Sequence, residues 1–125
     1  MDSPRSFLII QTAFIGDVIL ATALVEKLKD SFPGASIDFL LRKGNEDLLK
    51  KHPIIRSVLV WDKKKSKIKN LIGIIKQVRA NRYDCIINVH RFASSGFITA
   101  FSVAKQKIGF DKNPLSFLYD IKVKH

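Results

Sequence analysis

Apolar residues run unbroken from Phe7 to Ile10, give way to Gln11, and resume beyond Gly16 with a different period: Val18, Ala21, Leu24, Val25 and Leu28 recur at spacings of three and four. The first run is short and β-favouring and the second is one face of a helix, so Phe7 to Gln11 reads as a strand, Gly16 as a turn and the rest as a helix. Pro33-Gly34 stops that helix, and SIDFLL, Ser36 to Leu41, predicts a second strand. Asn45 to Lys51 predicts a short helical piece closed by His52-Pro53, because a residue before proline is driven out of the helical region. SVLVW, Ser57 to Trp61, is a third strand. The next helix places Ile68, Leu71, Ile72, Ile75 and Val78 on one face. DCIINV, Asp84 to Val89, is a fourth strand, Ser95 to Ala104 a further helix, KIGF, Lys107 to Phe110, a fifth strand, and Ile121 to Val123 a last one.

Strands that are apolar throughout and alternate with helices belong to a parallel sheet covered on both faces. The predicted class is α/β, a Rossmann-like doubly wound parallel sheet. Right-handed crossovers then gather the strand-to-helix loops at the carboxyl edge of the sheet, where such folds bind ligands. These loops are Thr12 to Asp17, Arg42 to Asn45, Asp62 to Ser66, His90 to Ser95 and Asp111 to Pro114. The closing LYDIKVKH ends on a strand with no helix after it, as expected of a chain cut inside a larger architecture.

With 125 residues the chain is expected to form one domain. No apolar run reaches the eighteen or so residues of a membrane-spanning helix, and the amino terminus lacks a cleavable signal pattern, so the expected address is cytoplasmic. The single cysteine, Cys85, sits in an apolar strand and is expected in the core. Charge adds more: 22 Lys and Arg against 11 Asp and Glu give +11, which favours an anionic partner. Nucleic acid, acidic headgroups and phosphorylated sugars all meet that requirement. Lys63, Lys64, Lys65, Lys67 and Lys69 crowd one helix start, although a solvated face would look the same.

Candidate chemistry centres on Gly16-Asp17. A turn glycine leaves space for a ligand near the backbone, and a carboxylate at the start of a helix is held ionised by the positive helix end. Capping the helix and accepting a proton from a bound hydroxyl use the same geometry, and local sequence leaves both open. The first loop has one glycine where a dinucleotide fingerprint needs three, and no P-loop is present. His52, His90 and His125 are scattered without ligand spacing, so no metal site is predicted. Ser94-Ser95-Gly96 lacks the frame of a nucleophile elbow.

FLIIQTAFIGDVILATALVEKLKDSFPGASIDFL closely resembles the opening of glycosyltransferase family 9, the ADP-heptose:lipopolysaccharide heptosyltransferases. RKGNEDLLKKHPIIRSVLVWDK, YDCIINVHRFASS and IGFDKNPLSF extend the resemblance over essentially the whole chain, with I-G-D-V its most specific element. The resemblance implies a GT-B fold, two Rossmann-like lobes facing across a cleft, of which residues 1–125 would be the N-terminal, acceptor-side lobe. The C-terminal lobe that holds the nucleotide-sugar, an ADP-heptose-like donor, would be absent. It further implies that Asp17 is the general base of an inverting transfer that needs no metal or other cofactor. Acceptor contacts would come from Thr12 and Gly16 in the first loop and from His90, Arg91, Ser94 and Ser95 after the fourth strand. Arg91 suits a phosphate or carboxylate, Ser95 can equally cap the next helix, and Lys112 is placed to meet an anionic acceptor. The chain departs from the family by carrying Ala13-Phe14 where small hydroxyl residues often stand, which implies an acceptor contacted differently.

The implied partner is an anionic lipopolysaccharide-core-type glycolipid, reached peripherally at the cytoplasmic face of the inner membrane. Alone, the chain is expected to be inactive and to self-associate through surface that the second lobe would cover. The alternative is a basic, non-catalytic nucleic-acid- or nucleotide-binding α/β module. Against nucleic acid, no aromatic platform accompanies the basic segments.

Overall fold

The computed structural model describes residues 5–11, 15–44, 46–50, 52–61, 67–89, 98–110, 119 and 121–123. Six strands, β1 (Ser6–Ile10), β2 (Ser36–Arg42), β3 (Ile55–Trp61), β4 (Cys85–Asn88), β5 (Gln106–Phe110) and β6 (Ile121–Val123), form one sheet in the order β3-β2-β1-β4-β5-β6. Each neighbouring pair is parallel. The doubly wound class predicted from the apolar strands is the class observed.

Two long helices cover opposite faces. From α1 (Ile15–Ser31), Ala21 and Val25 are buried against Phe7, Ile9, Ile37 and Phe39, with Leu24 and Leu28 packed beside them. Cys85 lies in the same layer, a core thiol as expected. On the other face α2 (Lys67–Asn81) sets Ile74 and Val78 against Leu8, Leu40, Leu59, Trp61 and Ile86. Successive strand residues point to opposite faces, so FLII feeds both layers from one strand, and all four of its side chains are buried.

Three predicted elements differ. The buried face of α2 is Leu71, Ile74, Ile75 and Val78, whereas Ile68 and Ile72 are exposed. Residues 46–48 make only a 3-10 turn, because the Glu46 carboxylate takes the Gly44 N–H at 2.6 Å and the Glu46 carbonyl takes the N–H of Leu49. The backbone N–H groups of Glu46 itself and of Gly44 hold the Glu46 carboxyl below its usual value. The helix expected to reach Ala104 is helical at residues 98–100 and turns at Phe101. There Ser102 bonds back twice to the Thr99 carbonyl, through its hydroxyl at 2.7 Å and its N–H at 3.3 Å.

The sheet is locked from its amino edge. The Arg5 N–H donates to Asp84 Oδ2 at 2.7 Å, the Asp84 N–H donates to Ser6 Oγ at 2.9 Å, and the Gln106 N–H reaches the Asp84 carbonyl at 3.0 Å. The Arg5 bond, helped by Lys105, holds the Asp84 carboxyl below its ordinary value.

Candidate functional site

A doubly wound sheet opens a crevice where consecutive strands depart to opposite sides. Here β1 leads through α1 to β2 on one side, while β4 adjoins β1 on the other, so the switch lies between the carboxyl ends of β1 and β4. Gln11, the first residue past β1, stitches that point. Its N–H donates to the Leu40 carbonyl at 3.1 Å and its side-chain amide to the Val89 carbonyl at 2.7 Å, while the Val89 N–H returns to the Ile10 carbonyl at 3.0 Å. The backbones entering both flanking loops are thereby tied to one another.

Asp17 is the third residue of α1, in the first turn after this junction. Helix N-termini carry partial positive charge from unsatisfied N–H groups, so a carboxylate at this position is favoured as the anion. At Gly16, where a turn is expected, the chain is already helical. α1 begins at Ile15, and Gly16 is its second residue, contributing no side chain over the helix end. Thr12, Ala13 and Phe14 lie outside the described residues, as do His90, Arg91, Ser94, Ser95 and Lys112. In the chain, residue 12 comes directly after Gln11, residues 90–95 come after β4, and residue 112 comes two residues after β5. Trp61, which closes β3, is fully buried, in keeping with its expected packing role, and Asp62 lies outside the described residues.

A second polar group supports this edge. Asn88, at the end of β4, donates its two amide hydrogens to Thr99 Oγ1 at 3.0 Å and to the Tyr119 hydroxyl at 3.1 Å, and all three residues are buried. Burial raises the Tyr119 phenol above its ordinary value, so it stays protonated. The Tyr119 ring packs against Gly109 of β5, where a Cβ would sit inside the ring's van der Waals radius. Gly109→Ala is therefore expected to cost about 1–3 kcal/mol in urea unfolding, as overpacking pushes the ring off Asn88. An unchanged midpoint would mean that the ring is free to move aside.

Gln11 and Asn88 were not among the residues singled out from sequence. Their signal was a polar side chain ending an otherwise apolar parallel strand, at the edge where such polarity has a use. Asp38 carried a similar signal but lies on the opposite side. Near the amino end of β2, its buried carboxylate accepts from Arg56 Nε at 3.0 Å, Arg56 Nη2 at 2.8 Å and the Tyr83 hydroxyl at 2.5 Å. Asp38 raises Arg56, and burial, reinforced by the same carboxylate, drives the Tyr83 phenol far up. That cluster is structural.

The chain is 37% identical over 78 residues to lipopolysaccharide heptosyltransferase 3 of Escherichia coli K12, covering 59% of this chain and 23% of that one. It is 27% identical over 109 residues to the lipopolysaccharide core heptosyltransferase OpsX of Haemophilus influenzae, covering 87% and 31%. The chain is homologous to the family 9 heptosyltransferases. No family model matches it. Its fold superposes on a glycosyltransferase family 9 structure from Veillonella parvula with a TM-score of 0.90 at 20% identity, over 99% of this chain and 37% of that one. Against E. coli heptosyltransferase WaaC with ADP-2-deoxy-2-fluoro heptose the TM-score is 0.84 at 17% identity, over 96% and 42%. The heptosyltransferase homology thus covers one Rossmann-like lobe of the GT-B kind, and the chain spans 23% and 31% of those two curated relatives.

Proposed function

We propose that the chain is the N-terminal, acceptor-side lobe of an inverting glycosyltransferase that moves a heptose-like sugar from a nucleotide-sugar to a lipopolysaccharide-core-type acceptor. The observation that carries this reading is the place of Asp17, in the first turn of α1 beside the β1/β4 switch point. As the acceptor oxygen attacks the anomeric carbon, its proton passes to the Asp17 carboxylate. The bond from that carbon to the nucleoside diphosphate breaks, and the configuration inverts. Thr12, Gly16, His90, Arg91, Ser94, Ser95 and Lys112 are the acceptor contacts, a reading supported by the family resemblance and by their order in the chain after β1, β4 and β5. The guanidinium of Arg91 pairs with an acidic substituent on the acceptor. A second lobe, encoded beyond residue 125, holds the ADP-heptose-like donor, and the work is done peripherally at the cytoplasmic face of the inner membrane.

Positioning of donor against acceptor supplies much of the rate in such a transfer. The 125 residues alone are therefore expected to show no transfer from ADP-heptose to a lipopolysaccharide-core acceptor, whereas the two-lobed parent turns over. Salt-sensitive binding of arbitrary oligonucleotides, with no affinity for acidic glycolipid, would instead favour a nucleic-acid module.

A further inference from the structure

Helix α2 carries four cations and no carboxylate along its 15 residues, KIKNLIGIIKQVRAN. Leu71, Ile74, Ile75 and Val78 hold it to the sheet. The outward face presents Ile68, 75% exposed, and Ile72, 49% exposed, in one shallow groove with Lys69, Gly73 and Lys76. From Lys76 the basic surface continues past Arg79 and Arg82 to Lys105. Lys105 lies 3.6 Å from Asp84, whereas among the described residues no carboxylate pairs with Lys69, Lys76 or Arg79.

Two isoleucines one turn apart on the water side of a helix, ringed by cations, have the composition of a helix that lies in a lipid interface. There the apolar side chains enter the acyl boundary and the cations meet anionic headgroups. Nucleic acid would engage the cations but leave the isoleucines wet. Because α2 follows β3 in a parallel sheet, its first turns, with Ile68 and Ile72, stand at the carboxyl edge, the edge of Asp17.

We propose that the outward face of α2, with Ile68 and Ile72 set among Lys69, Lys76 and Arg79, docks on an anionic lipid bilayer and brings the carboxyl edge of the sheet to a membrane-embedded acceptor. The second half of this statement rests on the glycolipid reading above, while the docking itself does not.

Co-sedimentation with vesicles tests it. The chain is expected to bind vesicles containing phosphatidylglycerol and to ignore pure phosphatidylcholine. Lys69→Glu combined with Lys76→Glu should weaken binding about 30-fold. Ile68→Ser combined with Ile72→Ser, both at exposed sites that leave the fold intact, should weaken it about tenfold and leave the remaining binding fully salt-sensitive. Binding unchanged in both variants overturns the proposal. So does displacement of the vesicles by an oligonucleotide whose affinity ignores the serine pair, or loss of vesicle binding in the two-lobed parent, which would give the face to the second lobe. In that parent the variants should spare transfer to a delipidated, water-soluble acceptor and slow transfer to the same glycan in a bilayer. Equal slowing on both acceptors counts against docking. Vesicle binding that depends on both pairs of residues, without transfer to either acceptor by the unaltered parent, upholds docking and removes the glycosyltransferase reading.

Discussion

Asp17→Asn in the two-lobed parent is expected to lower turnover by about 10²–10⁴-fold, the range removed when a positioned general base is lost. Asparagine keeps the size of the side chain and its ability to accept hydrogen bonds, but it cannot take the proton of the attacking hydroxyl. Asp17 lies in the first turn of α1, where asparagine is accepted about as well as aspartate, so the thermal midpoint should hardly move. A steady-state assay of sugar transfer, paired with a melting curve, separates the two effects. Near-normal turnover by the folded variant would remove Asp17 as the base and reduce it to an anion that stabilises the helix end.

The largest stability effect is expected at the other edge. Asp38→Ala removes an acceptor used by three donor atoms from two residues. The Arg56 side chain is 50% exposed and can turn to water, but the Tyr83 hydroxyl is buried and loses its acceptor outright. Discounting the exposed partner, the cost should be about 2–3 kcal/mol, near the lower end for a broken buried pair. For a domain of this size that corresponds to a fall in Tm of roughly 10 °C. Tyr83→Phe, which removes one hydroxyl from the cluster and leaves the ion pair, should cost about half as much. Calorimetry on the chain decides the matter. A change under about 0.5 kcal/mol for Asp38→Ala would place it with ordinary surface substitutions and show that the cluster contributes little.

Periodicity made most of the fold legible because the central strands β1, β2 and β4 are buried on both faces and each long helix on one. FLII, SIDFLL and CIIN could not alternate without placing polar atoms in a closed layer. It misjudged α2 because spacing alone cannot separate adjacent apolar stripes. Ile68 and Ile72 continue the three-and-four rhythm of Leu71, Ile75 and Val78, yet the sheet accepts Ile74, and the two isoleucines turn outward. It overran at Ala104 because apolar content carried the helix forward, while the hydroxyl of Ser102 supplied a local bond that ended it.

The site was legible as an edge and as one residue. The edge follows from strand order, which parallel topology nearly dictates once the elements are known. Asp17 stood out because a carboxylate interrupts a helix start at that edge, but sequence physics alone favoured capping, and family resemblance reversed the choice. Gln11 and Asn88 escaped notice because their roles depend on partners far along the chain: Val89 for the first, Thr99 and Tyr119 for the second. No local window contains both members of those bonds.

Strand β1 has a further consequence in the order of synthesis. It leaves the ribosome before the other five strands of the sheet, yet it is flanked on one side by β2 and on the other by β4, whose clasp on Arg5 comes from a residue 79 positions later. Until Asp84 and β4 emerge, one whole side of β1 presents unpaired N–H and carbonyl groups on an all-apolar strand, a template for another nascent chain. The strand that anchors the proposed catalytic edge is thus also the one most in need of a chaperone while the chain is being made.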